Sequence, residues 1–125
     1  MARIFAKSIN CKNQKEKDFE HAPFGIIGFE TAFGLAVRYL VEPGHLNVAE
    51  VIAALTAKAA QCFDLEAGAL TIGGSADITI IDPKAMWTFT EASILSRAKN
   101  SPFIGEHFTH QIIMTIAGGK IVYEK

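Results

Sequence analysis

The stretch His21-Ala22-Pro23-Phe24-Gly25-Ile26-Ile27-Gly28-Phe29-Glu30 decides how the rest of the chain is read. Pro23 fixes its own φ and pushes Ala22 into an extended conformation. Gly25 and Gly28 lack a Cβ, so the backbone can turn sharply there or approach another group closely. An extended segment that turns and then enters a helix is good geometry for presenting backbone N–H and C=O groups to a small ligand. Taken alone, the same stretch also reads as a loop that caps a helix.

Upstream of it, residues 1–20 form an arm that starts weakly apolar and becomes a mixed charge run from Lys12 to Glu20. Such a run is a solvated face or an extended arm, and its mixed signs make it a poor nucleic-acid tail. Downstream, Phe29, Phe33, Ala36, Val37 and Leu40 recur at helical spacing, which predicts a helix over 29–41. Glu30 would sit in its first turn, where the helix dipole favours negative charge. Gly34 weakens it, and Pro43-Gly44 stops it. Asn47 with Glu50 three residues on has the form of a capping box, and Leu46 can staple onto Val51. That second helix should run to about Leu55. Thr56 is placed to cap a third, Ala57 to Phe63. The helices define a segment over 21–66.

From 67 to 125 the texture is β-rich. Gly73-Gly74 marks a turn. Ala76 to Ile81 is β-branched and strand-like, with Asp82-Pro83 expected to end it. Trp87 to Thr90 reads as a separate short strand. Asn100-Ser101-Pro102-Phe103 reads as a turn. Ile112–Ala117 and Lys120–Tyr123 flank Gly118-Gly119, a strong hairpin signal. Helices followed by strands give an α+β fold class.

At 125 residues, half of them hydrophobic and 20% charged, the chain can bury a core of one domain's size. A net charge of -1 gives no pull toward nucleic acid or an anionic membrane. No apolar run reaches the roughly 18 residues of a membrane span, and the first residues lack a signal-peptide core. Cys11 and Cys62 lie far apart, which suits a reducing, cytoplasmic setting with one loop thiol and one buried thiol.

Chemical candidates in the residues themselves are few. His107 and His110 stand i, i+3 beside Glu106, but the Glu precedes the first His and the flanks read as loop and strand, unlike a helical His-Glu-x-x-His zinc site. Asp77 and Asp82 flank a strand and read as turn and edge groups. No phosphate-binding glycine loop and no Gly-x-Ser-x-Gly is present. A nucleophile, base and orienting group cannot be assembled.

The run Glu16-Lys17-Asp18-Phe19-Glu20-His21-Ala22-Pro23-Phe24-Gly25-Ile26-Ile27-Gly28-Phe29-Glu30-Thr31-Ala32 resembles the segment after the last barrel strand of type I dihydroorotases, in the amidohydrolase superfamily. The resemblance continues through Thr56, Ala60, Phe63-Asp64-Leu65, Gly68, Leu70, Gly73 and Ala76-Asp77-Ile78. It then takes in Lys99-Asn100-Ser101-Pro102-Phe103-Ile104-Gly105, Thr115-Ile116 and Gly119-Lys120-Ile121-Val122-Tyr123. It covers roughly 11–125, and the last part is also similar to hydantoinases and allantoinases. It implies the C-terminal remnant of a (β/α)8 barrel, contributing helices, followed by strands of a composite β-sandwich. In the family, zinc polarises the ring amide of dihydroorotate and lowers the pKa of bound water, and an Asp on the last strand moves the proton. By resemblance, the backbone of Phe24 and Gly25 holds substrate.

The departures matter as much. The family's His-x-His, bridging Lys, further His ligands and carboxylate-binding Arg and Asn would all precede residue 1. The family's Thr-Asp-His-Ala-Pro-His falls on Phe5-Ala6-Lys7-Ser8-Ile9-Asn10, so Ala6 replaces the catalytic Asp and Asn10 a substrate-contacting His. Whether the chain is an enzyme therefore stays open. No catalytic residue, metal ligand or cofactor is expected in it. Three readings follow: a truncated dihydroorotase-like protein without catalysis of its own, a non-catalytic assembly subunit for aspartate transcarbamoylase, or the C-terminal half of a split dihydroorotase that pairs with a separate barrel-half chain. Apolar stripes that normally pack on the barrel would be exposed, which predicts a homo-oligomer.

Overall fold

The computed structural model describes residues 25–125. The arm over 1–20, with Ala6, Asn10 and Cys11, and also His21 and Phe24, lie outside the described residues. Two compact units are seen. One comprises the described residues through Phe33 together with Trp87–Phe108; the other comprises Gly34–Met86 with Thr109–Lys125.

The predicted first helix is shorter and less regular than its apolar periodicity suggests. Residues 29–31 form a turn, α1 spans Ala32–Ala36, and a π-helical turn follows over Val37–Val41. The Thr31 N–H donates to the Gly28 carbonyl at 3.2 Å, closing the turn ahead of the helix. Phe29, expected on the apolar stripe, is 96% exposed, while Thr31, Gly34 and Val37 are buried. The wider π turn shifts each later side chain around the axis, so a strict 3.6-residue stripe cannot persist to Leu40.

The second helix, α2 (Val48–Leu55), forms as its capping residues dictate. Asn47 Oδ1 accepts the Glu50 N–H at 3.0 Å and Glu50 Oε2 accepts the Asn47 N–H at 2.7 Å. Two N–H groups that a helix start otherwise leaves unpaired are thereby satisfied. Val51 is buried, and α2 packs against the π turn and against α3 (Ala57–Cys62). Thr56 does not cap α3 with its side chain: its hydroxyl donates back to the Ile52 carbonyl at 2.7 Å, finishing α2 instead. Ala60 is the buried residue of α3. Cys62, expected to be the buried thiol, is exposed.

Among the described residues, three strands form one sheet in the order β1 (Ile78–Thr88), β2 (His107–Ala117), β3 (Lys120–Glu124). The Asp82-Pro83 pair does not end β1, and Trp87 lies on the same strand rather than a separate one. Two facts reconcile proline with this strand. β1 is an outer strand of this sheet, the place in a sheet where proline is tolerated. Asp82 Oδ1 also accepts the N–H groups of Lys84 at 2.9 Å and Ala85 at 3.2 Å, so the irregularity is satisfied locally.

The hairpin forms where the sequence places it. β2 and β3 are antiparallel, with Ala117 opposite Lys120 and a register shift at Thr115/Ile116. Gly118 and Gly119 both take positive φ, 55° and 76°, as a tight two-residue turn that follows strand twist requires. Asp77 Oδ1 accepts the Gly118 N–H at 2.7 Å and Asp77 Oδ2 the Ser75 hydroxyl at 2.6 Å. These bonds, Ser75 first, hold the Asp77 carboxyl below the usual aspartate range.

In the other unit, Phe89, Ile94, Phe103 and Phe108 form the buried core. Each such side chain contributes roughly 1.5–3 kcal/mol by leaving water. Trp87 packs tilted on Phe108 at 5.0 Å and edge-on to Phe89 at 6.3 Å. The Asn100–Phe103 turn is present but is no loose surface loop: Ser101, Pro102 and Phe103 are buried.

Candidate functional site

Gly25 is the one residue of the Phe24-Gly25 pair that the structure describes. Its φ is +67°, a conformation glycine adopts without strain. A Cβ built there would meet nothing within 4 Å, so the backbone and not the available space calls for glycine.

The backbone that follows is tied to a segment some 70 residues further along the chain. Asn100 Nδ2 donates to the Gly25 carbonyl at 3.1 Å. The Ile27 N–H donates to the Asn100 carbonyl at 3.2 Å. The Ser96 N–H donates to Glu30 Oε1 at 2.8 Å. Lys99 Nζ donates to the Ile94 carbonyl at 2.8 Å, which steadies the segment between Ser96 and Asn100. Burial of the Glu30 carboxylate opposes its ionisation. The hydroxyl and N–H of Ser96, with the N–H groups of Glu30 and Leu95, outweigh this and hold Glu30 below its ordinary value of 4.5. Among the described residues, Glu30 Oε2 is buried with no hydrogen-bond partner, as is Trp87 Nε1. Glu30, read from sequence as a helix-start charge, thus serves as an acceptor for a distant backbone.

The histidines are placed apart from this loop. His107 Nδ1 lies 2.8 Å from the Thr88 hydroxyl, a cross-strand pair at the meeting of β1 and β2. His110 Nδ1 lies 3.1 Å from the hydroxyl of its neighbour Thr109, and His110 has a positive φ of 58° within β2. Among the described residues no three His, Cys, Asp or Glu side chains converge to hold a metal. The described residues therefore do not fit a zinc centre, and no chemical step is assigned through one. Asp77 and Asp82 serve turn and edge backbone, as the sequence suggests.

A profile of the amidohydrolase family matches residues 18–122. The chain belongs to the amidohydrolase family. It is 45% identical over 116 residues to a dihydroorotase of Endomicrobium trichonymphae, covering 92% of this chain and 28% of that protein. It is 43% identical over 115 residues to a dihydroorotase of Clostridium acetobutylicum, covering 92% of this chain and 27% of that one. The chain thus spans about a quarter of the length of these relatives, as a dihydroorotase segment would. Among solved structures, the L-hydantoinase of Arthrobacter aurescens superposes with a TM-score of 0.78 at 28% identity, covering 94% of this chain and 26% of that one. The dihydropyrimidinase of Brevibacillus agri gives 0.79 at 21% identity, covering 94% and 26%, and supports the fold alone. The amidohydrolase reading taken from the Ala-Pro-Phe-Gly-Ile-Ile-Gly-Phe-Glu run therefore holds. No helix among the described residues is long and apolar enough to cross a membrane.

Proposed function

We propose that these residues are the substrate-loop and β-sandwich part of a dihydroorotase-like cyclic amidohydrolase, and that by themselves they do not hydrolyse dihydroorotate. The helices belong to the end of the barrel and the three strands to the composite sandwich. The observation that carries this reading is the pairing of 43–45% identity to dihydroorotases with coverage of only 27–28% of their length. Ala6 in the place of the family's catalytic Asp supports the second half of it, because a methyl group cannot carry a proton. Phe24 and Gly25 keep the substrate-facing role that the resemblance implies.

A second reading is favoured by exposed apolar side chains. Phe63, Leu65, Leu70 and Ile72 are all at least 60% exposed, which suits a chain that docks on a separately made remainder of the fold. In either case the exposed Cys62 thiol suits a reducing compartment such as the cytoplasm.

The test is a chimera. Residues from Cys11 onward replace the matching segment of the Clostridium acetobutylicum dihydroorotase, whose own upstream residues supply whatever this chain lacks. Turnover of dihydroorotate within about tenfold of the parent enzyme is expected. A folded chimera without turnover would overturn the assignment.

A further inference from the structure

We infer that Asn100 is a positioning residue for the Gly25 loop: it sets the backbone that, on the reading above, holds the substrate. The inference rests on that reading and extends it to a residue some 75 positions along the chain.

Asn100 bonds the loop twice. Its side-chain amide donates to the Gly25 carbonyl at 3.1 Å, and its own carbonyl accepts the Ile27 N–H at 3.2 Å. A single residue thus grips the chain on both sides of Ile26. The two bonds fix the peptide planes around a glycine that would otherwise sample both signs of φ. Gly25 is exposed and nothing packs where its Cβ would be, so packing does not hold its conformation. The hydrogen bonds must do it.

Asn100 is itself well anchored. The next three residues, Ser101, Pro102 and Phe103, are buried, and the Phe103 N–H donates to the Ser101 hydroxyl at 3.3 Å. Ser96, four residues before Asn100, makes a separate tie to Glu30. The substrate-facing backbone is therefore clasped at Gly25, Ile27 and Glu30 by one segment, 96–103. Of these ties only the one to the Gly25 carbonyl is made by the Asn100 side chain; its loss frees Gly25 and lets the neighbouring Ile27 bond open more often, while the Ser96–Glu30 tie holds. A contact of this kind holds bound substrate in place without touching it, and its loss is expected in KM more than in kcat.

Two variants separate the hydrogen bond from mere shape. Asn100→Asp keeps the size and removes the donor; Asn100→Ala removes both. In the 125-residue chain, amide hydrogen exchange at Ile27 is expected to quicken about tenfold or more in both variants, and tenfold corresponds to a fall of roughly 1.4 kcal/mol in the free energy of opening. In the chimera, both should raise KM for dihydroorotate about tenfold and leave kcat within about twofold. Unchanged exchange at Ile27, or faster exchange with an unchanged KM, would overturn the inference. So would Asn100→Asp behaving as the parent does, because shape alone would then suffice. A parent chimera without turnover counts against the dihydroorotase reading itself, whatever Ile27 does.

Discussion

Glu30 shows how a single carboxylate joins two distant parts of the chain. Its Oε1 accepts the Ser96 N–H and its pKa is held below 4.5, so the ionised form is favoured in the folded protein. The contribution to stability is complete above the ordinary glutamate value and is lost as pH falls through the lowered folded value. Urea unfolding followed from pH 7 downward should therefore show a decline below pH 4.5 that is shallower in Glu30→Gln; identical slopes would contradict this. The role was only half legible beforehand. A glutamate after Gly-Phe reads as a helix-start charge, and nothing local tells that its acceptor oxygen meets residue 96. The same holds for Asn100, which composition marks only as a turn residue. Gly25 was legible, because a glycine after Pro-Phe signals an unusual backbone, and its φ of +67° bears that out.

Elements governed by local rules were read well from sequence. The Asn47–Glu50 capping box is one, since both of its bonds lie within four residues. Asn47→Ala should lower stability by about 0.5–2 kcal/mol, measured by equilibrium unfolding, with α2 the first helix to exchange its amides. An unchanged midpoint would show that packing of Val51 alone holds the helix. The Gly118-Gly119 hairpin was equally legible, because two positive φ values leave few other residues possible. Elements governed by distant partners were not. A local rule reads Pro83 as a strand stop, yet the outer position of β1, a fact of topology, tolerates it. The π turn at Val37–Val41 broke a stripe that sequence periodicity carried through to Leu40.

At the scale of the whole molecule, the amount of apolar surface left uncovered is the dominant feature. Phe29, Phe63, Leu70, Ile72, Met86 and Leu95 are each at least 75% exposed, and Leu55 on α2 is 50% exposed. Isolated exposed apolar residues are ordinary, but this many large ones on a chain of 125 residues call for a covering surface. In the absence of other chains, a second copy is the available cover. Sedimentation velocity at micromolar concentration should show a dimer or larger species, with about 800 Å² buried per partner; a stable monomer would contradict it. The share of the relatives that the chain spans, about a quarter, bears on catalysis as well. The most direct measurement is dihydroorotate hydrolysis by the purified chain with zinc added, with bound metal quantified in the same sample. No turnover and no stoichiometric zinc is the expected result. Turnover with one bound zinc per chain would contradict it, and would mean that these residues build a catalytic centre that neither the resemblance nor the described geometry contains.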